Sequence, residues 1–166
     1  MTVMTDEQIR HIVELIVARL QARSGNPATL SQEQLRHASV LKLFLTHDSL
    51  SITRTDLPFI CQLAEGDRDN TAVANLFEAL SLGMPVCVTL PGRSLAHLPL
   101  RDLARVPCQW RDAEGATVAL HLKNVLSYRD ISGRRGGWLV TSRKTVITAL
   151  AREAAQAQHI QLVKQE

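Results

Sequence analysis

The chain has 166 residues, 45% of them hydrophobic and 21% charged, with a formal net charge of +3. This is enough for one globular domain with a sizeable core, and the charge is too small to argue for nucleic acid. No stretch approaches the roughly 18 consecutive apolar residues of a membrane span. Aromatic residues make up only 4%, so the core must be aliphatic. Cys61, Cys87 and Cys108 are odd in number and far apart in apolar surroundings, which reads as buried free thiols in a reducing cytosol. The N-terminus is amphipathic and carries Asp6, Glu7 and Glu14, so it is not a secretory signal. A cytoplasmic location is expected.

Residues 5–23 read as an amphipathic helix. Thr5 and Gln8 have capping-box spacing. Ile9, Ile12, Val13, Ile16, Val17 and Leu20 form one continuous apolar stripe, which has to be buried against something. It either docks on the chain's own core or lays itself on another protein, the latter because the helix is terminal and the breaker-rich residues 24–29 follow as a linker. Its polar face is not rich in Lys or Arg, which argues against a membrane surface. Ser31 and Gln34 open a short helix over 30–38. Val40 to Leu45 is a mostly apolar run that reads as a central strand, followed by a loop at Thr46, His47, Asp48 and Ser49. Leu50 to Ile52 reads as a brief edge strand, and residues 56–64 as a helix with Pro58 in its first turn.

The stretch from Asn70 to Leu90 is the clearest unit. Val73, Leu76, Phe77 and Leu80 share one helical face, Asn70 caps the start, and Gly83 and Pro85 end the helix. Val86 to Leu90 then fits a strand buried on both faces. Arg93, Ser94 and His97 occupy the loop beyond it. Leu100 to Arg105 reads as a short helix, and residues 108–122 as an antiparallel hairpin turning at Asp112–Gly115. Arg134 and Arg135 lie in a glycine-rich loop that lacks phosphate-binding spacing; with Arg143 and Lys144 they could make a basic patch, although solvated charge is the simpler reading. Strands around 138–141 and 145–147, a helix capped by Thr148, and a terminal strand at 160–163 complete the chain.

Alternating helices and apolar strands imply an α/β fold, a single domain with a mixed, mainly parallel sheet flanked by helices, flavodoxin-like or Rossmann-like, preceded by the amphipathic helix. The implied organisation is an interaction helix at 1–23, a linker at 24–29 and an α/β domain at 30–166. In such sheets ligands bind beyond the carboxyl ends of strands, so Thr46, His47, Ser49, Arg93 and Ser94 are the candidates for a ligand crevice. No catalytic constellation and no metal motif stands out.

The segments IVELIVARLQARS, LPLRDLARVPCQWRDAEG, LSYRDI and GGWLVTSRKTVITALAREAAQAQHIQL resemble the PduM family of propanediol-utilization microcompartment proteins over nearly the whole chain. The resemblance implies a structural or assembly adaptor of a bacterial microcompartment, without enzyme activity or cofactor. Its partners would be microcompartment shell or core proteins; neither nucleic acid nor membrane is expected, and homo-oligomers are compatible with it. In addition, VANLFEALSLGMPVCVTLP resembles part of a flavoprotein-type fold, with Asn75 and the run Gly83-Met84-Pro85-Val86 at the matching positions. That resemblance implies the alternative of a flavin- or nucleotide-related binding protein or enzyme. The loop after the first strand, however, lacks the Gly/Ser/Thr-rich sequence that would hold a flavin phosphate.

Overall fold

The structure, a computed structural model, describes residues 3–166, so Met1 and Thr2 of the expected interaction segment lie outside the described residues. Helix α1 (Asp6–Arg23) begins at the predicted capping box: the Thr5 N–H donates to Gln8 Oε1 at 2.9 Å and the Gln8 N–H to Thr5 Oγ1 at 3.3 Å. The chain then enters a four-stranded sheet of β1 (Pro27–Ser31), β2 (Ser49–Thr53), β3 (Val86–Thr89) and β4 (Gln109–Arg111), paired in that order and entirely parallel. Parallel neighbours need crossovers. Helices α2 (Gln32–Arg36) and α3 (Val40–Thr46) supply the first, and α4 (Leu57–Glu65) and α5 (Thr71–Ser81) the second. A 3-10 turn (Gly92–His97) and α6 (Leu100–Leu103) supply the third.

The second half repeats the scheme with shorter elements. Strands β5 (Val118–His121), β7 (Trp138–Thr141) and β9 (Gln161–Lys164) form a parallel three-stranded sheet. Between them, β6 (Val125–Leu126) pairs with β8 (Val146–Ile147), and α7 (Tyr128–Ile131) and α8 (Ala149–Ala157) complete the crossovers. The main core joins the halves: Ile52, Phe59, Leu76 and Val88 from the first belong to one apolar cluster with Val118 and Val140 from the second. A smaller cluster of Leu126, Ile131, Leu139, Ala151, Ala155 and Ile160 lies beneath α7 and α8.

The α/β class and the mainly parallel pairing stand, and several details change. Val40 to Leu45 is helix α3, not a strand. Val40, Leu43 and Phe44 turn inward at helical spacing, while Leu41, Lys42 and Leu45 are exposed. Leu50 to Ile52 is not an edge but an inner strand with Leu50 and Ile52 buried. The linker is shorter than residues 24–29, because Pro27 to Thr29 already pair with Ser49 to Ser51. Pro27 fits there because the first residue of an edge strand needs no donor. Val86 and Val88 are buried but Cys87 and Thr89 only half so, which makes β3 one-sided. The expected hairpin opens: β4 and β5 meet only at the antiparallel bridge Arg111–Thr117, then join different sheets. One mixed sheet becomes three because β5 finds a parallel partner in β7 rather than extending its contact with β4. Strand order follows chain order in both larger sheets. The order reversal of a flavodoxin-like or Rossmann-like sheet, which creates the ligand crevice, is absent among the described strands.

Asp112 holds the junction between the halves. Its Oδ1 accepts from the N–H of Glu114 at 3.0 Å and of Ala116 at 2.7 Å, and its Oδ2 accepts from Trp138 Nε1 at 2.8 Å. Burial alone would raise the Asp112 pKa; the Trp138 and backbone hydrogen bonds outweigh it and hold the carboxyl below its ordinary value. Next to it, Gly137 has φ +78°, and a Cβ there would lie 2.4 Å from the Thr117 carbonyl oxygen. Gly137→Ala should therefore cost at least about 1–3 kcal/mol, read as a lower midpoint in chemical denaturation. Asp112→Asn should cost about 1–3 kcal/mol by turning an amide N–H toward the Trp138 donor. Because the folded carboxyl is the stronger acid, its contribution is present above the ordinary carboxylate range and lost as pH falls through the lowered value. The Asn variant should lose that part of the acid dependence in melting curves recorded from pH 7 downward.

Candidate functional site

No residue of α1 is buried. Ile9, Ile12, Val13, Ile16, Val17 and Leu20 are between 42% and 52% exposed, and Leu15 on the adjoining face is 56% exposed. The stripe therefore remains uncovered by the chain's own core. Burying a Val, Leu or Ile side chain fully yields about 1.5–3 kcal/mol, so six half-covered side chains leave a gross gain of roughly 5–9 kcal/mol for a docking surface. Association entropy and side-chain ordering offset part of it.

The base of α1 is fixed while its length projects. Arg23 stacks on the Phe44 ring at 4.4 Å from the centroid. Its Nη1 donates to the carbonyls of Phe44 at 2.5 Å and His47 at 3.2 Å. The Gly25 N–H donates to Asp48 Oδ2 at 2.7 Å, and Asn26 Nδ2 to the Thr46 carbonyl at 2.8 Å. These bonds set the angle at which α1 leaves the domain and open a groove of about 390 Å³. Leu15, Ile16 and Leu20 form one wall and Phe44 and Leu45 the other, with Arg19 and Arg23 at the rim. A second depression of about 460 Å³ continues across α3, between Leu30, Leu43 and Leu45, with Arg19 and Lys42 at its edge. No carboxylate lines either groove.

The stripe is legible in the sequence, whereas Lys42, Phe44 and Leu45 are not, because Val40 to Leu45 reads as a strand, and Arg23 is not because its role comes from its contact with Phe44. The inward spacing of Val40, Leu43 and Phe44 was the available signal.

The ligand-crevice residues do not come together. Thr46, His47 and Ser49 precede or begin β2, whereas Arg93 and Ser94 follow β3. Since β2 and β3 are parallel, the two groups lie at opposite ends of the sheet. Several of the polar groups are also engaged locally: Thr46 Oγ1 donates to the Lys42 carbonyl at 2.8 Å and Ser49 Oγ to Asp48 Oδ1 at 3.1 Å. Ser94 is buried, and Arg93 is exposed. Asn75 Nδ2 donates to the Leu35 carbonyl at 2.8 Å, tying α5 to the end of α2. The basic cluster divides as well, with Arg134 and Arg135 before β7 and Arg143 and Lys144 after it.

The three cysteines are free. Burial, with a smaller contribution from Cys87, pushes the Cys108 thiol up to about 12, so it stays protonated at neutral pH and is a poor nucleophile. Burial also raises Cys87, against the opposing effect of Arg111. Among the described residues no group of three or more His, Cys, Asp or Glu could hold a metal ion, and no helix is long and apolar enough to cross a membrane.

Residues 11–161 match a family model described as putative propanediol utilisation. The chain is 42% identical over 163 residues to the bacterial microcompartment assembly protein PduM of Salmonella typhimurium, covering 98% of this chain and all of that protein. It is 39% identical, with the same coverage, to the protein of that name from Citrobacter freundii. The chain belongs to the PduM family. No solved structure matches it. Both relatives align over nearly the whole chain, so the family likeness takes in the α/β region and α1 together.

Because the stripe is uncovered, Ile12→Glu with Ile16→Glu should leave stability within about 0.5 kcal/mol of the parent, as for exposed positions generally. Denaturant titration checks this; a large loss would mean that α1 belongs to the core. Arg23→Ala should leave the sheet intact yet speed amide hydrogen exchange over 19–26, where the helix is clamped.

Proposed function

We propose that this chain is a non-enzymatic assembly protein of the bacterial microcompartment that degrades 1,2-propanediol, located in that compartment within the cytoplasm. The observation that carries the reading is α1, a clamped helix whose whole apolar stripe is offered outward. The relatives from Salmonella typhimurium and Citrobacter freundii are called bacterial microcompartment assembly proteins, which supports the compartment assignment. The α/β domain makes one contact, to a shell or core protein, and α1 makes another, so the chain works as an adaptor between protein surfaces.

Enzyme activity is not part of the reading. It is supported in this by a protonated Cys108 thiol and by candidate polar side chains at opposite ends of the sheet. Nor are nucleic acid, membrane, flavin or another cofactor part of it. The basic residues are divided by a strand, and the polar face of α1 mixes Glu14 with Arg10.

The test is a full-length fluorescent fusion in cells forming propanediol microcompartments, beside the Ile12→Glu/Ile16→Glu variant and a deletion strain. The fusion should form puncta that co-purify with compartments, the deletion should give malformed compartments, and the folded stripe variant should fail to restore them. Normal compartments in the deletion strain would sink the reading. Added flavins or nucleotides should leave the melting temperature of the purified chain unchanged; a dose-dependent rise would revive a small-molecule role.

A further inference from the structure

We propose that the cleft where β4 and β5 part is a docking site for an extended, acidic peptide segment of a partner protein, which adds to the open edge of β5 as a further strand. The inference rests on the reading of the α/β domain as a protein-contact element and names where, and in what form, the partner is held.

The main chain selects an extended peptide. Strand β4 ends the four-stranded sheet and β5 begins the three-stranded one, so each has a parallel neighbour on one side only. Successive residues of a strand turn their N–H and C=O to opposite sides. The Trp138 N–H donates to the Thr117 carbonyl, so Thr117 and Ala119 face β7, and Val118 and Leu120 turn toward β4. The antiparallel bridge Arg111–Thr117 starts a ladder whose next rung would take the Leu120 N–H to the Cys108 carbonyl. The Cys108 N–H instead turns back to the Val106 carbonyl at 2.8 Å, and the ladder stops at its single bridge. Leu120 thus presents both its N–H and its C=O to the cleft. A donor and an acceptor at strand pitch are matched by another main chain.

The space fits one strand. The cleft has a volume of about 660 Å³ and lies between residues 108–111 on one side and 117–120 on the other. Strand β5 has four residues, about 13 Å of extended chain. Val106, Pro107 and Leu120 add apolar surface to the polar main chain. The outermost edges of the two sheets are protected in other ways. Strand β1 begins with Pro27, which has no N–H to donate. Strand β9 is bordered by the 3-10 turn, where Gln165 Nε2 donates to the Leu98 carbonyl and the Glu166 N–H to that of Ala96.

Charge sets the sign of the peptide. Arg111 and Arg134 line the cleft, and no carboxylate does. Among the described residues neither guanidinium forms an ion pair. Asp112, next to Arg111 in the chain, is buried and engaged by the Glu114 and Ala116 amides and by Trp138. Arg134 Nε donates to the Asp130 carbonyl at 3.0 Å, which positions the side chain and leaves its terminal nitrogens for a ligand. An acidic strand pairs both guanidinium groups through charge-assisted hydrogen bonds; a basic one would be repelled by them.

The test titrates the purified full-length chain with an acetylated, amidated hexapeptide of alternating glutamate and valine, read by amide hydrogen exchange and tryptophan fluorescence. Both tryptophans of the chain report on the site, since Trp110 lines the cleft and Trp138 pairs with Val118 of β5. Exchange at Leu120 should slow about tenfold at saturation, with half of the fluorescence change reached at about 0.1–1 mM peptide. The same peptide N-methylated along its backbone keeps its charges but cannot donate to the strand edge, and should not bind. Lysine in place of glutamate should weaken binding about tenfold or more. Arg111→Glu with Arg134→Glu should reverse that preference; both positions are exposed, so the fold is retained. Unchanged exchange at Leu120 in about 5 mM peptide overturns the proposal, as does equal binding of the N-methylated peptide or a charge preference that the double substitution leaves unaltered. A chain that enters compartments without binding the peptide would leave the assembly reading standing and remove only this inference. A chain that binds the peptide in this way yet never enters compartments would do the reverse.

Discussion

Parallel strand pairing governs this molecule. Every ladder between named strands is parallel, and a parallel pair cannot be closed by a tight turn. Each strand must return through a connection long enough to cross the sheet, and the apolar faces of α4 and α5 fill the main core as they do so. The same rule parts β4 from β5. Their turn permits one antiparallel bridge, after which β5 follows β7 and a second sheet begins. Asp112 bonds both to that turn and to Trp138 at the start of β7, so one carboxylate holds the point where the two sheets separate.

Topology also directs attention away from the interior. Ligand crevices in open α/β sheets form where strand order reverses, and both larger sheets here advance in chain order. The polar residues that a crevice would have used are spread to opposite ends of β2 and β3 or bonded within their own loops. The proposed function accordingly rests on the surface of the molecule.

Among the described residues, α1 carries more exposed large apolar side chains than any other element. Neither core cluster draws a residue from it, and Arg23 at its end is held by the Phe44 ring and the Phe44 and His47 carbonyls. A helix held at its base and apolar along its length invites a protein partner. Membership of a family whose named proteins assemble microcompartments gives that partner a setting.

Local chemistry was enough to identify several elements. The boxes at Thr5–Gln8 and Ser31–Gln34, the Asn70 cap and the left-handed Gly83 are short-range features, and each lies where spacing and side-chain type put it. The stripe of α1 was legible for the same reason, since periodicity depends on helix geometry alone. Val40 to Leu45 is ambiguous in the sequence because a six-residue apolar run satisfies a buried strand and a short helix equally, and only packing on α5 decides between them. By itself the sequence determined where helices begin, which faces are apolar and the α/β class. Only the tertiary structure decided that β4 and β5 part, that Thr46 and Arg93 lie at opposite ends of the sheet, and that the α1 stripe stays uncovered. Those outcomes depend on which strand finds which neighbour and on what remains exposed once the core is full, and both are set by contacts between residues far apart in the chain.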